Sequence, residues 1–163
     1  MLTETNRDLL ARMTELLRSE RAALADFLVA LAEFDERRGW AELGYASLFD
    51  FLHRELGLSK GTAFYRKTAA ELARRYPELI EPLRDGRLCI TSVVELAKVI
   101  TPENRAAALP RFFHCSRLEA KAISAELSPV LSPPRRVVVT TAPVARALDL
   151  GQVVQPVFNR EHG

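Results

Sequence analysis

Chemistry-bearing residues are scarce in this chain of 163 residues: it holds three histidines and two cysteines. Cys89 and Cys115 have no partner at the spacing of a zinc site or a disulfide framework, so both are expected to be small, buried apolar side chains. A hydrolytic metal centre needs several convergent ligands and an open position. His53, His114 and His162 lie far apart along the chain. Acids such as Asp35, Glu36 and Asp50 fall where helix caps and solvated faces account for them. The expectation is no metal, no cofactor and no catalytic residue. Aromatic residues make up 7%, while Leu and Ala dominate the apolar set, as in helical bundles. No apolar run reaches the ~18 residues of a spanning helix, which argues against a membrane partner. The opening MLTETNRDLL lacks the apolar core of a secretory signal, so the cytoplasm is the expected location.

Strong local patterning stands out over residues 47–76. Ser47 is a helix N-cap with Asp50 three residues on, a box-like start. Gly57 supplies the left-handed residue that ends a helix, and Leu58 fills the space between that helix and the next. Ser59 caps a second helix running to about Arg75, before Tyr76-Pro77 discourages continuation. A short helix, a glycine-containing turn and a longer helix outline a helix-turn-helix. At 100° per residue Tyr65, Ala69, Leu72 and Tyr76 share one face of the second helix, with Lys60, Ala63, Lys67, Ala70 and Arg74 opposite.

The second helix also concentrates charge. The whole chain carries +2, but residues 59–75 alone carry +4 and residues 1–58 carry −4. A helix that is basic where its neighbours are not is a candidate phosphate-facing element. The candidate duplex-DNA contacts are Lys60, Thr62, Arg66, Lys67, Arg74 and Arg75. Lys60 and Thr62, near the helix start, are best placed for base edges and the others for phosphates. Basic residues on a helix also make an ordinary solvated face, so a helical protein-interaction module is the alternative reading.

Around this segment the pattern is helical up to about Leu127. Residues 4–18 place Leu9, Leu10, Met13, Leu16 and Leu17 on one side of a helix. Leu24, Phe27, Leu28, Leu31 and Phe34 continue an apolar stripe to Arg38, as a helical hairpin or one bent helix, and Gly39 stops the run. Trp40, Leu43 and Tyr45 form an apolar connector, with Trp40 a core anchor. Pro77 opens a short helix, and residues 85–87 form a turn. Ser92 with Glu95 caps a helix over 93–100, Thr101-Pro102-Glu103 starts one that Pro110 breaks, and Ser116 with Glu119 caps the last. Ser128-Pro129 and Ser132-Pro133-Pro134 then form a Pro-rich linker. Residues 137–141 read as a strand, and 153–158 as a second, interrupted by Pro156.

Several of these marks occur together in one family. Gly44-Tyr45, residues 47–50, Leu-Gly-Leu-Ser at 56–59, Tyr76-Pro77 and Asp-Gly-Arg-Leu at 85–88 stand in the order found in bacterial HNH endonucleases of the myxobacterial type. The chain resembles the N-terminal helical region of those enzymes over about residues 20–140. The resemblance implies DNA binding or positioning ahead of a C-terminal ββα-metal nuclease module. Lys67 departs from the family, which tends to be apolar there. The His–Asn–His set of the nuclease module is also missing, because none of the three histidines sits in a ββα context. The overall expectation is an all-α, multi-helix bundle over residues 1–128, containing a helix-turn-helix-like pair. A Pro-rich tail bearing one or two strands is expected over 129–163. Its expected role is a DNA-binding module without its own catalytic centre. A fragment of an HNH endonuclease whose active site is encoded elsewhere is the enzymatic alternative, and a homodimer is left open.

Overall fold

In the computed structural model, which describes residues 5–128, every regular element is helical. The expected strands at 137–141 and 153–158, the Pro-rich tail and His162 lie outside the described residues. The longest element is α1, Asn6–Glu36, of 31 residues. Thr5 caps it in a reciprocal box with Asp8. The two helices expected before residue 38 are one, because the span 6–36 contains no Gly or Pro and Ser19 alone does not end a helix.

The chain leaves α1 through Arg38, which adopts the left-handed conformation (φ 54°), and not through Gly39 as expected. Gly39 has a different role: a Cβ there would lie 2.3 Å from the Phe34 ring. It opens the short α2, Gly39–Glu42. The connector then reaches α3, Leu48–Arg54. Trp40 is half-buried and donates its indole N–H to Asp35 at 3.0 Å. Leu43, expected in the connector core, is 60% exposed.

After α3 come α4, Lys60–Arg75, a 3₁₀ turn at Pro77–Leu79 and α5, Ile80–Asp85. These follow the expected starts and stops closely. Gly86 takes the left-handed conformation after α5, and the Asp85 carboxylate accepts from the Arg87 backbone N–H at 3.0 Å.

The final three helices are α6, Ile90–Ala97, α7, Arg105–Arg111, and α8, Arg117–Leu127. Here the sequence reading needs correction at three points. Ser92 does not cap α6, which begins two residues earlier. Ser92 is fully buried inside the helix and donates to the Cys115 carbonyl at 3.3 Å, tying α6 to the loop before α8. Pro110 does not break α7 but sits in its last turn. The two cysteines are not buried: Cys89 is exposed and Cys115 half-buried. Burial raises the Cys89 thiol, but hydrogen bonding with Ser92 and Thr91 outweighs it and leaves the pKa below the ordinary value. The box of Ser116 and Glu119 on α8 forms in full.

The core is built around α4, which packs on α1, α3 and α6. Its buried residues are Ala63, Ala69, Ala70, Leu72 and Ala73. Small side chains let neighbouring helix axes come close, and the larger partners supply the volume. Those partners include Leu28 and Leu31 of α1, Leu48 and Leu52 of α3, Val93 and Leu96 of α6, and Phe112 after α7.

A bulkier residue on this alanine face is therefore expected to overpack it. Ala70→Leu should cost about 1–3 kcal/mol, measured by chemical denaturation. An unchanged midpoint would show that α4 has room the packing does not suggest. Gly57→Val tests the turn independently. It forces a β-branched residue to φ +67° and should cost about 1–3 kcal/mol.

Candidate nucleic-acid interface

The segment from α3 to α4 is held by local bonds that the sequence dictates. Ser47 accepts from the Asp50 N–H at 3.0 Å. The Asp50 carboxylate does not return to Ser47 as a full box would: it reaches the Ala46 N–H at 3.4 Å and pairs with Arg54 at 2.8 Å. The helix ends at Arg54, and Gly57 turns the chain with φ +67°. Leu58 directs its N–H to the Leu52 carbonyl at 3.1 Å. The His53 ring closes the turn from the other side, with Nδ1 2.7 Å from the Leu58 carbonyl. A carbonyl only accepts, so Nδ1 carries the proton. His53 is thereby a turn clamp stacked near Phe49. Ser59 then accepts from the Thr62 N–H at 3.2 Å and starts α4.

The helix presents its two halves differently. Its C-terminal half is embedded: Ala69, Ala70, Leu72 and Ala73 are buried there, followed by Tyr76. Its N-terminal half is open on one side only, with Lys60, Gly61 and Phe64 exposed and Ala63 fully buried. The expected phase is half right. Ala69, Leu72 and Tyr76 face the core, but so do Ala63 and Ala70, which the sequence placed on the opposite side. Packing on three other helices buries more than one face of α4.

The six candidate side chains consequently fall in different surroundings. Lys60 is exposed and has no ion-pair partner among the described residues. The Thr62 hydroxyl accepts from Ser59 Oγ at 2.9 Å and belongs to the cap. Arg66 turns toward α1, half-buried, with its guanidinium 5.4 Å from the Phe27 ring centroid. Lys67 pairs with Glu71 at 2.8 Å. Arg74 pairs with Asp35 of α1 at 3.5 Å. Arg75 is exposed, with its guanidinium 5.9 Å from the Tyr76 ring. The basic stripe is thus not one continuous face: Arg66 and Arg74 lean toward α1, and Lys60 and Arg75 remain outward at the two ends.

Two residues were missed by sequence reasoning. Phe64 is 50% exposed on the open half of α4. Gly61 lies inside the first turn with nothing within 4 Å of where its Cβ would be. No packing among the described residues calls for glycine there, and glycine weakens a helix relative to alanine. The bare backbone leaves room for close approach by something outside the chain. The first turn of α4, like those of α6 and α7, contains no acidic residue, whereas α1, α3 and α8 carry Asp8, Asp50 and Glu119 there. The positive end of the α4 dipole is therefore uncompensated by its own helix.

Metal chemistry has no assembled donor set here. Among the described residues no group of three or more His, Cys, Asp or Glu side chains is placed to hold a metal ion. His114 is exposed and left-handed (φ 55°), with its backbone N–H bonded to the Arg87 carbonyl at 2.7 Å. No described helix is long and apolar enough to cross a membrane.

Asp35 has two duties at this site, since it accepts from Trp40 and pairs with Arg74 while only 14% of its side chain is exposed. Asp35→Ala leaves the half-buried indole N–H without that acceptor, at a cost of about 1–3 kcal/mol. Trp40 is the chain's one tryptophan, so its emission reports the change directly. A shift to longer wavelength with a lowered denaturation midpoint is expected. Unchanged emission would mean that the indole is not held by Asp35. No family model, curated protein or solved structure matches the chain.

Proposed function

We propose that residues 5–128 form a DNA-binding or DNA-positioning module in which α3, the Gly57 turn and α4 act as a helix-turn-helix. The observation that carries this reading is the division of α4. Its C-terminal half is anchored by Ala69, Ala70, Leu72 and Ala73, and its capped N-terminal half is left open at Lys60, Gly61 and Phe64. A recognition helix works in this way, with its first turns entering the groove and its last turns fixed to the domain. The segment's +4 charge, its uncompensated N-terminus and the resemblance to the front region of HNH endonucleases support the same role.

In this role Lys60, Lys67 and Arg75 neutralise phosphates. Lys67 exchanges its half-buried pairing with Glu71 for a phosphate. Gly61 lets the helix backbone come near the duplex, and Phe64 offers an apolar contact to a thymine methyl. Thr62 stays within the cap. Arg66 and Arg74 orient the helix against α1. The module carries no nuclease centre of its own in this reading.

Duplex binding should therefore weaken with salt. Three phosphate contacts give a slope of about −3 in log K against log salt, at ~0.9 per contact. The double variant Lys60→Ala/Arg75→Ala should reduce that slope by about 2. A slope unchanged in the variant would move the contacts elsewhere on the molecule. Absence of binding at low salt would favour a protein-interaction module, which the exposed apolar side chains of α1 also suit. Incubation of supercoiled plasmid with the purified chain and Mg²⁺, Mn²⁺ or Zn²⁺ tests the endonuclease alternative. Intact plasmid is expected, and metal-dependent nicking that follows the protein through purification would replace the binding-module reading.

A further inference from the structure

The first half of α1 stands clear of the core. Every residue from 5 to 20 is exposed, yet Leu9, Leu10, Met13, Leu16 and Leu17 line one side at 39, 60, 58, 60 and 43% exposure. At 100° per residue this stripe runs into Leu24, Phe27 and Leu31, which pack on the core in the second half of the same helix. One continuous apolar face is thus covered in its second half and uncovered, among the described residues, in its first. A projecting stretch of about four turns is marginal in water without a partner for that face.

Where α1 leaves the core, a cavity of about 590 Å³ opens, with Leu17, Leu24, Phe27, Leu58, Leu83 and Leu88 among its walls. The projecting stripe and this cavity are both apolar and adjoin along one helix. They fit each other only between copies, because α1 is continuous and its first half does not fold back on its own root. Charge agrees with a like partner. Residues 6–20 hold Arg7, Arg12 and Arg18 against Asp8, Glu15 and Glu20, so two copies do not repel. The balance also selects neither an acidic protein nor a nucleic acid for this face.

We propose that two copies of the chain pair through the first halves of α1 in antiparallel fashion, each seating Leu9 and Leu10 against the other's cavity. The arrangement is isologous, with the same patch used on both copies and closed by a two-fold axis. Setting Met13 beside the second copy's Leu16, and Leu16 beside its Met13, follows the a-to-d layering of paired helices. That register brings the second copy's Leu9 level with Glu20, at the cavity mouth. The cavity also takes Arg66 of α4 as a wall, but Lys60, Gly61 and Phe64 line no part of it, and the pairing does not depend on DNA binding.

Sedimentation of the full chain over a wide concentration range reads the outcome. Wild type is expected to reach twice the chain mass, and Leu10→Glu/Leu16→Glu to stay at the chain mass with a far-UV circular dichroism spectrum that is still helix-dominated. Both positions are exposed in the single copy, so the double variant leaves the core intact. Wild type that remains a single copy at every concentration, or a double variant that still pairs, overturns the proposal. Leu10→Cys under mild oxidation gives a second, independent reading. The antiparallel seating predicts an intermolecular disulfide to Cys89, which lines the cavity, identified by peptide mass. A disulfide between two Cys residues at position 10, or no intermolecular disulfide, overturns the arrangement.

Discussion

The close approach of α1 and α4 is the constraint on which the rest of the molecule depends. It exists because the buried side chains of α4 are nearly all alanine. A leucine-lined α4 would hold its neighbours further away and leave no way for α1, α3 and α6 to pack on it together. Alanine also has the highest helix propensity, so the packing requirement and the local preference agree. The larger residues sit on the surrounding helices and close over α4 from several sides.

That packing decides how the charges are used. Placing α4 along α1 brings Arg74 to Asp35 and Arg66 to Phe27. Two of the cations that make the segment basic therefore help to hold the helix in place. Asp35 joins this contact to Trp40, so the connector after α1 and the end of α4 share one half-buried carboxylate. The open half of α4 is what remains once these contacts are made. Its character comes from Lys60, Gly61 and Phe64, and only the first of these stood out as a charge.

The N-terminal half of α1 follows a different rule. Its leucines belong to the same stripe that the core uses further along, but the chain supplies no helix beside them among the described residues. The stripe and the adjoining cavity are consequences of a helix longer than the bundle it packs on. At about 1.5 Å per residue, 31 residues span roughly 46 Å, well beyond the reach of the short helices α3, α5 and α6.

The sequence by itself determined the features that rest on neighbours in the chain. The left-handed turn at Gly57, the caps at Ser47, Ser59 and Ser116, the end of α4 before Pro77 and the all-helical class of the described residues follow from local backbone chemistry. Local bonding acts over three or four residues, and a reader of the sequence sees all of its participants at once. Tertiary structure decided which faces are buried. Alanine fits either side of a helix, so Ala63 and Ala70 gave no sign that they face inward, nor Phe64 that it faces out. It also decided that Ser92 is a buried tether to Cys115 rather than a cap, that Phe34 occupies the space beside Gly39, and that Arg66 and Arg74 turn toward α1. Each depends on a residue distant in the chain or on another helix, where spacing along the sequence carries no information about distance.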